Sequence, residues 1–427
     1  MQIKAVVVGY GDRGSIYADY ASRYPEELKI EAVVDPDAFR LSLAKEKFGL
    51  TDEQCLTDLD ALLAKGKIAD FAIVATMDQL HYQQAKALLL QNYHLLLEKP
   101  IVNNSRELQE LKKIAEERDR IIMVGHVLRY TPFYGAIKQA ILDGEVGEII
   151  HIETSEFVGV CHASSAYIRG KWNKEDVCGS GMLLAKCCHD FDLLCWLNNQ
   201  TVPTDVVSYG GRNFILPEKA PSDSTERCYL GCPHIDTCQF SAKSLYVDND
   251  KMPNYSYPLM KKKHDEITLE EKLETLKTDD PMGVCAYKTG ADIVDHQSVM
   301  MKFKNGSTAM HSMITAVPRG GRKIHVVGTE GEIEGFFESN KFVIRKFDFT
   351  TSLYKERTID VSEQVIPNVG HGGGDIVLIG DVVKRMQGKK PSIASTDIRD
   401  SINGHECVYA AERSRLENIC VKMNQDN

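Results

Sequence analysis

The stretch Lys4 to Gly14, KAVVVGYGDRG, constrains the fold more than any other part of the chain. Its apolar run, Ala5 to Val8, lacks polar alternation and predicts a strand buried on both faces. The run feeds directly into Gly9, Gly11 and Gly14, spaced G-x-G-x-x-G. Gly9 suits a tight turn, Gly11 a close backbone approach to a pyrophosphate, and Gly14 a helix packed against its strand, with the phosphates on the helix N-terminus. Tyr10, Asp12 and Arg13 fall within the same loop and are grouped with the glycines as candidate cofactor contacts. A second apolar run, Ile30 to Val34, ends in Asp35, 21 residues after Gly14. Such a unit carries there the acid that binds a ribose 2'-hydroxyl, and this second strand separates the reading from a chance glycine-rich loop. A carboxylate at that point repels the extra phosphate of NADP, so NAD is preferred; Arg40 softens the preference and leaves NADP open.

Strand and helix then alternate to about Gly125. Strands are predicted at Phe71 to Ala75, His94 to Leu97 and Ile121 to Val124, and helices at His81 to Leu90 and Ser105 to Arg118. This pattern specifies an α/β unit with a parallel sheet covered on both faces, and its ligands bind beyond the carboxyl ends of the strands. Those ends carry Thr76, with His81 following; Glu98 and Lys99 before Pro100; and Gly125 with His126. A lysine preceding proline is extended, which aims Lys99 into the crevice; the alternative is a surface lysine that merely follows a glutamate.

A chain of 427 residues predicts two domains. The first is assigned to residues 1–125. The second, 126–427, reads as runs of strands with interspersed helices, an α+β unit with a large, mainly antiparallel open sheet. Its expected strands are Glu148 to Phe157, Ser298 to Lys304, Thr308 to Ala316, Lys323 to Gly328, Glu332 to Phe337 and Lys341 to Phe347, with Asn305-Gly306 as a hairpin turn. A final helix spans Asp397 to Glu417. The polar stretch of about 213–280 reads as an insertion, with the charge run Lys261 to Glu271 as a solvated helix. Net charge of -10 and a pI near 5.8 argue against nucleic acid and anionic membranes. With no export signal read at the N-terminus and no membrane-length apolar run, a cytoplasmic setting is expected, with most of the twelve cysteines reduced.

Three further groups of residues suggest chemistry. After Gly179-Ser180-Gly181, the positions Lys186, His189, Asp192 and Trp196 share one helix face beside an apolar one, and that face can line a cleft. Asp295-His296-Gln297 opens a strand, and Gly370 to Asp375 places His371 in a glycine-rich loop able to hydrogen-bond a sugar hydroxyl; a helix start capped by Asp375 is the equal alternative. Cys228, Cys232 and Cys238, with His234 and Cys285, raise a structural zinc, against reduced and packed cysteines.

Over nearly its whole length the sequence resembles the glucose-fructose oxidoreductase and inositol dehydrogenase family (Gfo/Idh/MocA). The matching stretches are GYGDRG at 9–14, VATMDQLH at 74–81, LLEKP at 96–100, RYTPFYGAIKQAILDGEVGEI at 129–149 and CHDFDLLCWL at 188–197. The resemblance implies an NAD(P)-dependent dehydrogenase acting on a hydroxyl of a sugar, cyclitol or polyol derivative, assembled as a homodimer or homotetramer. It implies that Lys99 lies between nicotinamide and substrate, that His189 contacts the substrate hydroxyl, and that Asp192, Arg129, Tyr130 and Trp172 position cofactor or substrate. Three departures stand out. Met77 replaces a usual proline, Asn173 a frequent arginine, and Ala185 the acid four residues before His189, so Lys186 is a candidate to take over part of that role. Some relatives are glycosidases that oxidise a sugar transiently, eliminate the substituent and reduce it again; a nucleotide-binding regulator without catalysis is the third class.

Overall fold

The computed structural model describes residues 1–367 and 369–423. The first sheet is built from β1 (Ile3–Val8), β2 (Leu28–Val34), β3 (Cys55–Leu56), β4 (Phe71–Val74), β5 (His94–Leu97) and β6 (Ile122–Val124), all parallel, in the order β3-β2-β1-β4-β5-β6. Helices α1 (Asp12–Arg23), α2 (Ala38–Phe48), α3 (Leu59–Ala64), α4 (His81–Leu90) and α5 (Ser105–Glu117) connect the strands. Ala5 and Val7 enter one apolar layer and Val6 and Val8 the other, which is why the run needs no polar residue. From β1 the chain winds to β2 on one side and to β4 on the other, so a crevice opens beyond the carboxyl ends of β1 and β4.

After α6 (Pro132–Leu142) comes the second sheet: β7 (Ile149–Gly159), β8 (Pro203–Gly211), β9 (His296–Phe303), β10 (Thr308–Val317), β11 (Gly321–Gly328), β12 (Gly331–Phe336), β13 (Lys341–Asp348), β14 (Leu353–Asp360) and β15 (Val421–Lys422). Its order is β14-β13-β12-β11-β7-β10-β9-β8-β15, and β7 with β10 is the parallel pair among antiparallel ones. The Asn305-Gly306 turn joins β9 to β10, with Gly306 at φ +92°. Along β9, Gln297, Val299, Met301 and Phe303 face inward, while His296, Ser298, Met300 and Lys302 face out. The inner face is covered by α7 (Met182–Leu197) and, later in the chain, by a long C-terminal helix, Ile398–Glu417. Strands β8, β14 and β15 are absent from the sequence reading, because β14 is exposed along most of its length and β15 has two residues.

The middle segment has a small core of its own, around Tyr246, Tyr257, Leu276 and Met282. The charge run there departs from expectation. Helix α8 spans Leu269–Lys277, starting where Thr268 and Glu271 form a reciprocal cap, and Lys261, Lys262 and Lys263 before it lie in irregular chain. The chain then returns to the first unit through α9 (Gly374–Met386) and α10 (Ile398–Glu417): Val124 N donates to Thr396 O at 2.9 Å, and Ile398 and Ile402 complete the first core.

Candidate active site

The crevice beyond β1 matches a dinucleotide at the level of the backbone. Gly9 has φ +89°, and a Cβ there would stand 2.7 Å from the Ala75 carbonyl oxygen; one on Gly14 would stand 1.9 Å from the Gly9 oxygen. Gly11 begins α1 without a side-chain cap, so the helix's first amides are open to an anion. Asp35 is buried and accepts from Tyr10 N at 2.8 Å and Asp37 N at 2.9 Å, while Arg40 Nη1 stands 3.6 Å away. The middle segment reaches over this crevice: Asn254 Nδ2 donates to Asp12 at 2.7 Å, and Lys261 pairs with Asp37 at 2.5 Å. Thr76 Oγ1 donates to Gln84 at 2.6 Å. His81 is buried between the carbonyls of Pro100 (2.7 Å) and Thr76 (3.3 Å), which ties the ends of β4 and β5 together rather than facing a ligand.

Below the first helix turn, Arg13 joins the two units. Its Nε donates to Glu98 at 2.8 Å, its Nη2 to Tyr17 OH at 2.6 Å, and it also pairs with Asp375, which holds His371 Nδ1 at 3.0 Å. Tyr17 OH donates to Glu98 at 2.7 Å. Burial works to raise the Glu98 carboxyl, but Arg13 and Lys99 outweigh it and hold it below its usual range. Burial also opposes ionisation of Asp375, yet Arg13 and His371 carry it down to about 2. His371, at φ +50°, lies in the turn before α9 and lines the cleft; the expected cap is not formed, because Gly373 opens α9 without a side-chain cap and Asp375 spends its carboxylate on Arg13 and His371.

Lys99 leaves the end of β5 and its Nζ donates to the Ala185 carbonyl at 2.9 Å, one turn before His189 on α7. Where the resemblance expects an acid, a main-chain oxygen therefore meets the lysine. Burial favours the neutral amine, but the Cys188 thiol, Glu98, Asp78 and Tyr255 around it prevail and raise its pKa above the ordinary lysine value. In the free protein Lys99 is therefore an ammonium. His189 is held neutral by burial and by the nearby Lys99 charge, and its Nδ1 is buried without a hydrogen-bond partner. Lys186 turns the other way, to Glu156 at 3.2 Å and His162 Nδ1 at 3.5 Å, with burial lowering its pKa. Lys186, Glu156, His162, Arg322 and His371 line a cleft of about 600 Å³. Arg322 anchors that wall through Glu156 (2.8 Å) and Asp190 (2.9 Å).

Several expected ligand contacts are spent on structure. Arg129 and Asp192 form a two-pronged pair at 2.7 and 2.6 Å, each about 1% exposed, with Arg129 also donating to Ser395 O at 3.0 Å and to Asp400. Their elements cross inside the core, so neither side chain reaches the cleft. Tyr130 OH donates to Asp381 at 2.9 Å, and both are buried. His296 stands half exposed beside Asp295 at 2.8 Å, outside the cleft lining. Trp172 donates through Nε1 to Asp78 at 3.2 Å and lies beside Tyr255, ring centres 6.4 Å apart.

The zinc expectation also changes. His234 Nε2 is occupied at the Ser222 carbonyl, 2.6 Å away. Among the described residues, the one set of His, Cys, Asp or Glu ligand atoms lying within 4.8 Å of one another is Cys187, Asp190 and His311. There Asp190 serves Arg322, and His311 Nδ1 meets Thr154 Oγ1 at 2.9 Å. No three of the sulfurs of Cys228, Cys232, Cys238 and Cys285 approach that closely, whereas thiolates on one tetrahedral zinc stand about 3.8 Å apart.

Sequence reasoning missed Tyr255, Asp78, Glu156, His162 and Arg322. Tyr255 comes from the polar middle segment, where no periodicity marks a cleft residue. Glu156 sits on a strand whose inward positions gave no catalytic spacing, and Asp78 and His162 lie in short turns.

The chain is 27% identical over 375 residues to the oxidoreductase YteT of Bacillus subtilis, spanning 86% of this chain and 84% of that one. To an inositol 2-dehydrogenase of Leifsonia xyli it is 26% identical over 216 residues, 50% of this chain and 59% of that protein. A levoglucosan dehydrogenase solved with NADH and levoglucosan superposes with a TM-score of 0.70 over all of both chains at 15% identity. Residues 3–126 match the NAD-binding Rossmann domain and residues 138–423 the C-terminal α/β domain of one oxidoreductase family, so the chain belongs to the Gfo/Idh/MocA oxidoreductases.

Proposed function

We propose that this protein oxidises a hydroxyl of a sugar, cyclitol or related polyol derivative with NAD, using Lys99 and His189. The observation that carries the reading is their convergence: Lys99 Nζ bonds the Ala185 carbonyl, one turn before His189 at the nucleotide crevice, and the next residue, Lys186, lines the 600 Å³ cleft. Bound NAD supplies the hydride acceptor, and Gly9, Gly11, Gly14 and Asp35 are the residues that would hold it. Lys99 as ammonium donates to the substrate oxygen and orients it; as neutral amine it takes that oxygen's proton. His189, neutral at physiological pH, gives the oxygen a second polar contact without adding a competing charge. Lys186, Glu156 and His371 offer the donors and acceptors that a polyhydroxylated ring needs. Asp35 favours NAD over NADP, while Arg40 and Lys261 at the same end leave some tolerance for a phosphate. In this reading residues 1–125 bind nucleotide, 126–427 bind substrate, and 213–280 cover the crevice. The family's dehydrogenases named for inositol and levoglucosan support the substrate class.

The acidic balance and unpaired cysteines suit a reducing cytoplasm, and no described helix is long and apolar enough to cross a membrane. The outer face of the second sheet exposes Tyr209, Met300, Ile314, Phe347 and Leu353, which suits pairing of two or four copies.

The test is a panel of free sugars, cyclitols, polyols and aryl glycosides, followed for NADH formation and aryl release. NADH from a free polyol is expected, and Lys99→Ala should lower turnover by about 10²–10⁴-fold with NADH binding retained. Aryl release without net NADH would instead identify a redox-assisted glycosidase, and unchanged turnover in Lys99→Ala would remove Lys99 from the mechanism.

A further inference from the structure

The middle segment holds a second constellation away from the crevice. Cys228, Cys232 and Cys238 follow the spacing C-x3-C-x5-C, and Cys285 is brought beside them by two main-chain bonds, Cys228 N to Gly283 O and Cys285 N to Glu226 O, each 2.9 Å. All four line one cavity, walled also by Phe240, Ile235 and Tyr287. The centre of a water-sized sphere has about 20 Å³ there. Adding the sphere's own radius makes the void roughly 6 Å across, too wide for a bare divalent ion to touch four sulfurs. Buried Arg169 is fixed at its edge by the carbonyls of Val284 (2.6 Å) and Phe240 (2.8 Å), with Nη2 3.7 Å from Cys228 Sγ. A guanidinium held there offsets the negative charge of thiolates.

We infer that Cys228, Cys232, Cys238 and Cys285 ligate a [4Fe–4S] cluster that fastens the middle segment. A cubane carries one thiolate on each of four separated irons, so its sulfurs stand wider apart than those on a single ion. That accounts for three observations together: four thiols around one void, no three of them within 4.8 Å, and, among the described residues, no histidine nitrogen that joins two of these sulfurs within that distance to complete a zinc set. The cluster's role is structural. The segment it ties down delivers Asn254, Tyr255 and Lys261 to the crevice.

The experiment is expression with added iron, purification without oxygen, and analysis of the full-length protein for iron, acid-labile sulfide and zinc, with its visible spectrum. About four irons and four sulfides per chain are expected, with a brown colour that bleaches on reduction. Cys238→Ser and Cys285→Ser should lose most of the iron, whereas Cys420→Ser, at an exposed cysteine outside the cavity, should keep it. One zinc per chain without iron would overturn the assignment. So would folded wild-type protein that retains no iron after anaerobic reconstitution with ferrous iron and sulfide.

Discussion

Replacing Asp192 with asparagine tests whether the Arg129–Asp192 pair is architecture or a substrate contact. Both side chains are buried, and the carboxylate receives two charge-assisted bonds at 2.6 and 2.7 Å. Asparagine keeps the shape but offers one acceptor and turns an N–H toward another donor. Removing one member of a fully buried pair costs about 3–5 kcal/mol, because the remaining charge is left uncompensated. Arg129 retains Asp400, whose side chain is 42% exposed, so the lower end, about 3 kcal/mol, applies. For a chain of this size, with about 2.1 cal/mol/K of unfolding entropy per residue, that is a fall in Tm of about 3–4 °C by calorimetry or dye binding. The double variant Arg129→Met/Asp192→Leu should recover most of the loss, since an apolar pair of similar volume is often neutral. A Tm within about 1 °C of wild type together with a tenfold rise in KM for the polyol would refute the reasoning and return Asp192 to the substrate.

Asp375 should govern stability in acid. Its carboxyl is depressed to about 2 in the folded protein, so its contribution is complete above the unfolded value near 3.9 and is lost as pH falls toward 2. Asp375→Asn should cost about 2–3 kcal/mol at neutral pH and flatten the stability profile between about pH 4 and pH 2; an unchanged profile would mean the Arg13–Asp375–His371 chain is not formed in solution. Because Lys99 is held as ammonium and His189 as neutral imidazole, log kcat/KM for oxidation should climb with unit slope from about pH 6 to about pH 8, without a break near the ordinary histidine value. A flat profile would remove Lys99 as the base. Gly14→Ala would press its methyl onto the Gly9 carbonyl, so NADH affinity measured by fluorescence should fall at least tenfold; binding within twofold of wild type would contradict the strand–helix contact.

Much of the candidate site was legible because it depends on short-range chain geometry. A glycine that must admit a carbonyl at 1.9 Å from its missing Cβ, or an acid at the end of the second strand, is specified within a few tens of residues. Lys99 and His189 were legible through their positions at a strand end and on a helix face, and through the family resemblance. The burial that holds His189 neutral and the carbonyl that meets Lys99 were not, since both come from packing two distant segments together. Arg129, Tyr130 and Asp192 illustrate the limit: polar residues near a domain junction suit a ligand contact or an internal pair equally well in one dimension.

The sequence by itself determined the parallel nucleotide-binding unit, the crevice beyond β1 and the mainly antiparallel second sheet, because alternation of apolar residues and turn chemistry act locally. Only the tertiary structure decided that the middle segment lies over the crevice, that Lys186 faces Glu156 rather than Lys99, and that four cysteines from two loops share one void. Those outcomes depend on which distant surfaces meet, and burial and charge compensation are settled only when they do.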